Sequence, residues 1–505
     1  MDPNLMTVVR GGLLLETASR SAPAQDLVIQ NGVLREIGEP GHEVPEGTLE
    51  IDATGMLLMP GLINAHTHGH GSLGKGLGDR WTLEHLLHAG PWLIGGRGLE
   101  DKHLAATLNA AEMVLKGCTA AYDLYFEFPL PTLEGMHAVA MGYEDVGVRS
   151  VIAPMMADRT LLDANPGLLD AFPESDQKRL SKLRASPTAE ILSACRTLLK
   201  DWPFDPERTK LTLAPTIPLH CSDEFIIECH NLARDHDVGL HMHLAESRIQ
   251  AVTGMKRYGK TLTAHLDELG FLEPSFTAAH GVWLDDDDLK RLADNGCSLA
   301  HNPGSNLRLG SGIAPARAAV SRGLNVGIGT DGSHCADNQN MFEAMRFASF
   351  ASRIMSADTN EWLATDEIVA MATEGSARAL GFGDDIGRLV PGAKADIVFL
   401  DLTNINFVPF NDPVNQIVHT EDSSAVQSVM VDGEFVLKDR RFTKINYEQL
   451  CHDVEDTVDR LQGANADARV IAENLEGMVS QFCVGLAGEP YHIHHWCGHT
   501  PSPHQ

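Results

Sequence analysis

The chain has 505 residues, too many for one ordinary core, so two units or one large barrel with an appendage are expected. Hydrophobic residues make up 43% of it, ample for a globular interior, while a formal net charge of −30 argues against nucleic-acid binding, which needs clustered Lys and Arg. Nine scattered cysteines with no Cys-x-x-Cys pair read as a reduced, cytoplasmic pattern, and neither a signal peptide nor an apolar run near the ~18 residues of a membrane span is found.

From the N-terminus, residues 6–60 alternate apolar and polar residues in short runs, as at Thr7–Arg10, Asp26–Gln30 and Thr48–Ile51, which predicts β-strands. A matching patch returns late, at Ala395–Leu400 and Val426–Val431, followed by Asp432-Gly433 and Glu434–Leu437; Asp-Gly between apolar runs signals a hairpin. Both chain ends, 1–61 and 385–445, are therefore expected to build one small composite β-sandwich. Between them, residues 62–384 mix strand-like runs with helical segments such as His103–Lys116, Glu224–Asp235 and Leu284–Asn295. The run Asp285–Asp288 precedes an apolar helical pattern and reads as a helix start, where carboxylates complement the dipole. Residues 446–505 are expected to give a helix over 447–480 and a tail rich in histidine (His492, His494, His495, His499, His504), either a second metal site or subunit contact or a plain surface tail.

A series of polar residues ends successive apolar runs: His66 and His68 after Leu58–Ala65, His243 and Glu246 after Val238–Leu244, His280 after Phe276–Ala279, His301 after Ser298–Ala300, and Asp331 after Leu324–Thr330. The spacing of the later ones suits successive β-loop-α units of roughly 30 residues. Eight such units close a barrel whose active site lies at the C-terminal ends of its strands. Residues i and i+2 of a strand face the same way, so His66 and His68 can aim at one point. By the same rule either His241 or His243 could be the third imidazole. Three imidazoles and a carboxylate can hold one divalent metal, Zn2+ first and Fe2+ second, leaving Glu246 and His280 for proton traffic.

In its order and motifs the series resembles the amidohydrolase superfamily, specifically the mononuclear branch of triazine hydrolases and of guanine and S-adenosylhomocysteine deaminases. The likeness runs from the N-terminal strands to Gly387–Asp401. It implies a distorted (β/α)8 TIM-like barrel with a composite β-sandwich. It also implies His66, His68, His243 and Asp331 as metal ligands, Glu246 as proton shuttle and His280 as the residue that polarises water or substrate. The run Leu211–Pro215 lacks the lysine that bridges two metals in other branches, so one metal is expected. The implied reaction is deamination of a purine-, pterin- or triazine-like ring by hydroxide generated at the metal. Hydrolysis of an amide, carbamate, urea or aryl-chloride bond is the alternative, and a non-catalytic barrel scaffold the third. Relatives also suggest a homo-oligomer acting on a small molecule, while the net charge and the lack of a long apolar run lead us to expect no nucleic-acid and no membrane partner.

Substrate contacts are expected where the chain departs from its relatives. Nucleoside deaminases of the branch carry a ribose-facing histidine where Thr216 stands, and a histidine appears instead at His220. Trp81, in the glycine-rich stretch His70–Trp81, could stack on a flat ring or pack under its loop. Arg308 could hold a substrate anion or a wall carboxylate, and His301 is expected either behind the metal ligands or in contact with substrate.

Overall fold

The structure is a computed structural model that describes residues 6–493; the histidines at 494, 495, 499 and 504 lie outside them. Eight strand positions run in parallel through its middle: Leu62–Thr67, Cys118–Phe126, Arg149–Met156, Thr209–Leu211 continued by Ala214–Pro215, Leu240–Leu244, Phe276–His280, Ser298–His301 and Asn325–Ile328. Most of their residues are buried, which explains why they read as near-continuous apolar runs rather than alternating ones.

The first four strands form one sheet and the last four another, and the two meet at both edges. At one seam Leu213 bridges Leu240, with Leu213 N–H donating to Gly239 O (3.1 Å) and His241 N–H to Leu213 O (3.0 Å). At the other, Asp331 N–H donates to His66 O (2.9 Å). The fold is thus the distorted (β/α)8 barrel expected. Helices such as Leu99–Leu115, Leu133–Val146, Thr188–Asp201, Asp223–Asp235 and Asp286–Asp294 connect the strands outside. The aspartate run begins the last of these: Asp285 accepts from Asp288 N–H (2.8 Å), and Asp288 accepts in return from Asp285 N–H (3.3 Å).

Both chain ends contribute to one nine-stranded sheet, in which Met56–Pro60 pairs antiparallel with Ile397–Asp401, and Asp432-Gly433 turns Val426–Val431 into Glu434–Lys438. Val9, Leu27, Leu34, Leu58, Ile397 and Phe399 form its core. A fully buried Arg149, on the third barrel strand, ties this sheet to the barrel by pairing with Asp396 and with Asp432 of the hairpin turn, which Arg208 also meets. Past the sheet, where one helix over 447–480 was expected, there are two, Tyr447–Ala464 and Ala466–Ala487. They part at Asn465, whose side chain donates to Gly95 O (2.9 Å) instead of extending the helical pattern. No helix among the described residues is long and apolar enough to cross a membrane.

Candidate metal centre

The ends of the first, fifth, sixth and eighth strands converge. His66 is the last residue but one of its strand, and His68 follows directly after that strand. Ala245 (φ 52°), His280 (φ 71°) and Asp331 (φ 66°) all adopt the left-handed backbone region, an arrangement that costs about 1–3 kcal/mol each and gathers at functional sites. These turns swing Glu246, His280 and Asp331 inward. His68 Nε2 lies 3.3 Å and His66 Nε2 3.7 Å from Asp331 Oδ1. His280 Nε2 lies 3.5 Å from Glu246 Oε2 and 3.8 Å from Asp331 Oδ2. His243 Nε2 lies 3.1 Å from His68 Nε2.

The protonation pattern follows from what the outer ring nitrogens touch. His68 Nδ1–H donates to Leu124 O (2.7 Å) and His243 Nδ1–H to Thr216 O (2.8 Å). With Nδ1–H so engaged, the neutral form of either ring carries a lone pair, not a proton, on Nε2. Two lone pairs facing each other at 3.1 Å repel unless a cation stands between them. His66 Nε2, His280 Nε2 and both carboxylate oxygens of Glu246 are buried without a hydrogen-bond partner. Buried polar atoms are otherwise almost always partnered, so this donor set fits a divalent metal. Ligand atoms of His66, His68 and Asp331, of His66, His243 and His280, and of Glu246, His280 and Asp331 each fall within 4.8 Å of one another.

Electrostatics point the same way. Burial, then the neighbouring imidazoles, hold His66 and His243 well below the usual imidazole range, so both rings are neutral and able to bind. Burial would raise Asp331, but His68, His280 and His243 outweigh it and keep the carboxyl below the ordinary aspartate value. Glu246 goes the other way: burial, then the charges of Asp331 and Glu84, raise it well above the ordinary glutamate value. Two carboxyls of one cluster are driven apart, which is how acid and base roles are separated.

Residues 57–436 match the family described as the amidohydrolase family. The chain belongs to that family. It is accordingly a hydrolytic enzyme that works with a divalent metal. This amidohydrolase is 30% identical to the 5-methylthioadenosine/S-adenosylhomocysteine deaminase of Desulforamulus reducens over 462 residues, 90% of this chain and 99% of that protein. It is 34% identical to the 5'-deoxyadenosine deaminase of Methanothermobacter thermautotrophicus over 390 residues, 77% of this chain and 84% of that one. Among solved structures, an adenosine deaminase from Xanthomonas campestris with bound zinc superposes with a TM-score of 0.80 at 26% identity, covering 90% of this chain and 98% of that one. Atrazine chlorohydrolase TrzN from Arthrobacter aurescens, complexed with zinc, gives the same TM-score and identity over 90% and 100%.

The residues suggested as substrate contacts fall in different places. His301 is buried beside His280, with its Nδ1 unpartnered, and burial, then the charge of His280, lowers it to about 4. Thr216 reaches the centre through its carbonyl, the acceptor for His243, rather than through its side chain. His220 has Arg257 and Asp163, and none of the converging histidines, as the charges that act on it. Trp81 packs edge-on to Trp92 with ring centroids 6.2 Å apart, as an anchor under its loop. Arg308 latches that loop: it pairs with Asp337 (2.8 Å) and donates to the carbonyls of Asp79 (2.9 Å) and Gly78.

Other residues at the centre carry weak sequence signals. Asn306 Oδ1 accepts from His280 Nδ1–H (2.9 Å), leaving its buried amide nitrogen free. Gln250 Oε1 accepts from Glu246 N–H (2.8 Å), and its Nε2 is likewise unpartnered. Glu84, buried on the helix Leu83–Leu93, accepts from Ser247 Oγ (2.7 Å). Only Asn306 stands in a motif that sequence spacing could flag; Glu84 and Gln250 look like ordinary helix polar residues.

Proposed function

We propose that this amidohydrolase is an aminohydrolase that deaminates a small amino-substituted N-heterocycle, purine-, pterin- or triazine-like, with release of ammonia. In this reading His66, His68, His243 and Asp331 hold one Zn2+, with Fe2+ second. The observation that carries it is Glu246: a buried carboxyl with neither oxygen partnered, 3.5 Å from His280 and beside the converging imidazoles. A divalent metal in this set lowers the pKa of water from 15.7 to roughly 7.

The chain's own groups then divide the proton work. Asp331, held ionised, accepts a proton at its carboxylate. Glu246, held protonated, donates one to the departing ring amine, a transfer typically worth ~10²–10⁴ in rate. His280, fixed by Asn306, is placed to polarise the attacking water or the substrate. The deaminase names of the relatives support the amine leaving group. Hydrolysis of an aryl chloride, which the TrzN structure suggests, needs no proton on its leaving group and gives Glu246 less to do. A cytoplasmic homo-oligomer belongs to the same reading and is checked by light scattering and cell fractionation. The deciding experiment is ammonia release from a panel of aminopurines, aminopterins, aminotriazines, amides and ureas by metal-replete protein. Cleavage of amides with no ammonia from any ring amine would overturn the deaminase assignment.

A further inference from the structure

The metal centre lies at the bottom of a barrel mouth that is covered. Helix Ala466–Ala487 crosses the connections that surround it. Ser480 Oγ is 2.6 Å from His85 Nε2, and His88 Nε2 donates to Ala472 O (3.1 Å); both histidines lie on the helix that follows the first barrel strand. Leu475, Val479 and Cys483 pack against Leu168 and Phe172, which follow the third strand, and against Ile249, which follows the fifth. Just past the helix, Arg248 donates to Glu489 O (2.9 Å), the Tyr491 ring meets Trp283 at 5.9 Å, and His492 Nε2 is 2.8 Å from Asp285. One helix and its short extension therefore close over the loops of four barrel strands. Substrate-binding loops of such barrels lie on that face.

What lies beneath the helix is ordered. Ser247, next to Glu246, donates to buried Glu84; His85, the neighbour of Glu84, is bonded to Ser480. One chain of contacts thus links Ser247, the neighbour of Glu246, to the helix through Glu84 and His85. A substrate whose scissile bond is at the metal centre must extend toward the barrel mouth, the face that this helix covers. The family match ends at residue 436, so this cover lies outside it.

We propose that helix Ala466–Ala487 is the roof of the substrate pocket, and that its buried side chains Val479 and Cys483 limit the size of the group carried on the ring opposite the reacting amine. The roof rests on the contacts above; the reference to a ring amine rests on the deaminase reading.

Two measurements test it. The first needs no substrate. Zinc-loaded protein is exposed to excess dipicolinate and the stripping rate followed in wild type and in Val479→Ala/Cys483→Ala, with cooperative unfolding checked in each. Stripping at least tenfold faster in the folded double variant is expected; an unchanged rate overturns the roof. If the double variant does not fold, Ser480→Ala, which removes one tether, replaces it, with about threefold faster stripping expected and an unchanged rate again fatal. The second compares 5'-methylthioadenosine with adenine. The ratio of their kcat/KM values is expected to rise at least tenfold in the double variant and fall at least tenfold in Cys483→Trp. A ratio unmoved in both overturns the size limit. Fast stripping with no ammonia from any ring amine supports the roof and sinks the deaminase reading instead.

Discussion

His241 Nε2 stands 3.1 Å from His66 Nδ1, so one buried imidazole decides which nitrogen of another faces the metal centre. If His66 presents its Nε2 lone pair, its Nδ1–H must donate to His241. Removing that acceptor frees the ring to turn or to change tautomer. Loss of such an outer partner typically weakens metal binding by about 10–100-fold. His241→Phe is therefore expected to weaken zinc binding by that factor in a chelator competition, while His66→Ala abolishes stoichiometric metal. Wild-type affinity in His241→Phe would show that the contact is only packing.

Glu246→Gln keeps the size of the side chain and removes its transferable proton. It is expected to retain one metal per chain by elemental analysis and to lose ~10²–10⁴ in kcat. Loss of the metal itself would make Glu246 a ligand and undo the division of roles proposed above.

The buried imidazoles make stability depend on pH with a definite sign. Burial, helped by His280, holds His301 at about 4, and burial, helped by Arg257, holds His220 at about 4. In the unfolded chain each titrates near 6.5. Between pH 6.5 and about 4 the unfolded chain binds more protons, so stability present above 6.5 is lost as pH falls. For His301 the full traverse is worth up to about 3 kcal/mol, at ~1.4 kcal/mol per unit. Glu246, whose value is raised, acts in the opposite sense. The clean reading is thus a difference: the urea midpoint of metal-free protein should fall less between pH 7.5 and 5.0 in His301→Phe than in wild type. Equal falls would remove His301 from the account.

Much of the centre was legible because metal chemistry restricts residue type and barrel topology restricts position. His66, His68, His243, His280, His301 and Asp331 stand at strand ends, where apolar runs stop on polar residues, and the structure brings all six together. His241 and His243 could not be separated from the strand period alone, because both face the interior; they differ in depth, one layer apart along the same strand. Arg308 and Trp81 illustrate what composition cannot reach. Their side chains suit a ligand equally well, and only the fold shows them holding the loop at residues 78–81. Apolar spacing through Leu450, Val454, Val458 and Leu461 predicts a single C-terminal helix, and nothing in that spacing names the break at Asn465 or the surface that Ala466–Ala487 covers.

Arg149 is a test of how barrel and sheet are joined. Its guanidinium is buried and pairs with Asp396 and Asp432, so its removal strands the buried Asp396 carboxylate, while Asp432 keeps Arg208. Breaking a buried pair in this way costs about 3–5 kcal/mol. Arg149→Met should lose that much in urea unfolding, and Arg149→Met/Asp396→Leu should recover part of it by removing the stranded charge. A single variant within 1 kcal/mol of wild type (roughly the scale of an exposed pair) would mean that solvent reaches the network.

Gln339 offers the sharpest test of how Asp331 is held. The side chain is fully buried between the first and eighth strands. Its carbonyl accepts from Thr67 Oγ1 (2.9 Å), Thr330 Oγ1 (2.6 Å) and Asn64 Nδ2 (3.1 Å), while its amide donates to Asp331 O (2.8 Å) and Ser333 Oγ (3.1 Å). One amide thus clamps the strand carrying His66 to the left-handed residue carrying the carboxylate. Gln339→Leu strands several of these groups at ~1–3 kcal/mol each, so a loss of activity there would not separate positioning from folding. Gln339→Glu does separate them. It keeps an oxygen for Thr67, Thr330 and Asn64 but turns an acceptor toward the Asp331 carbonyl, pushing that backbone away. It is expected to stay folded at a cost of about 1–3 kcal/mol for the lost donor, less than Gln339→Leu, yet bind zinc about 10–100-fold more weakly, with an altered visible spectrum when loaded with Co2+. If Gln339→Glu binds zinc as tightly as wild type and its Co2+ spectrum is unchanged, Asp331 is held by its strand alone.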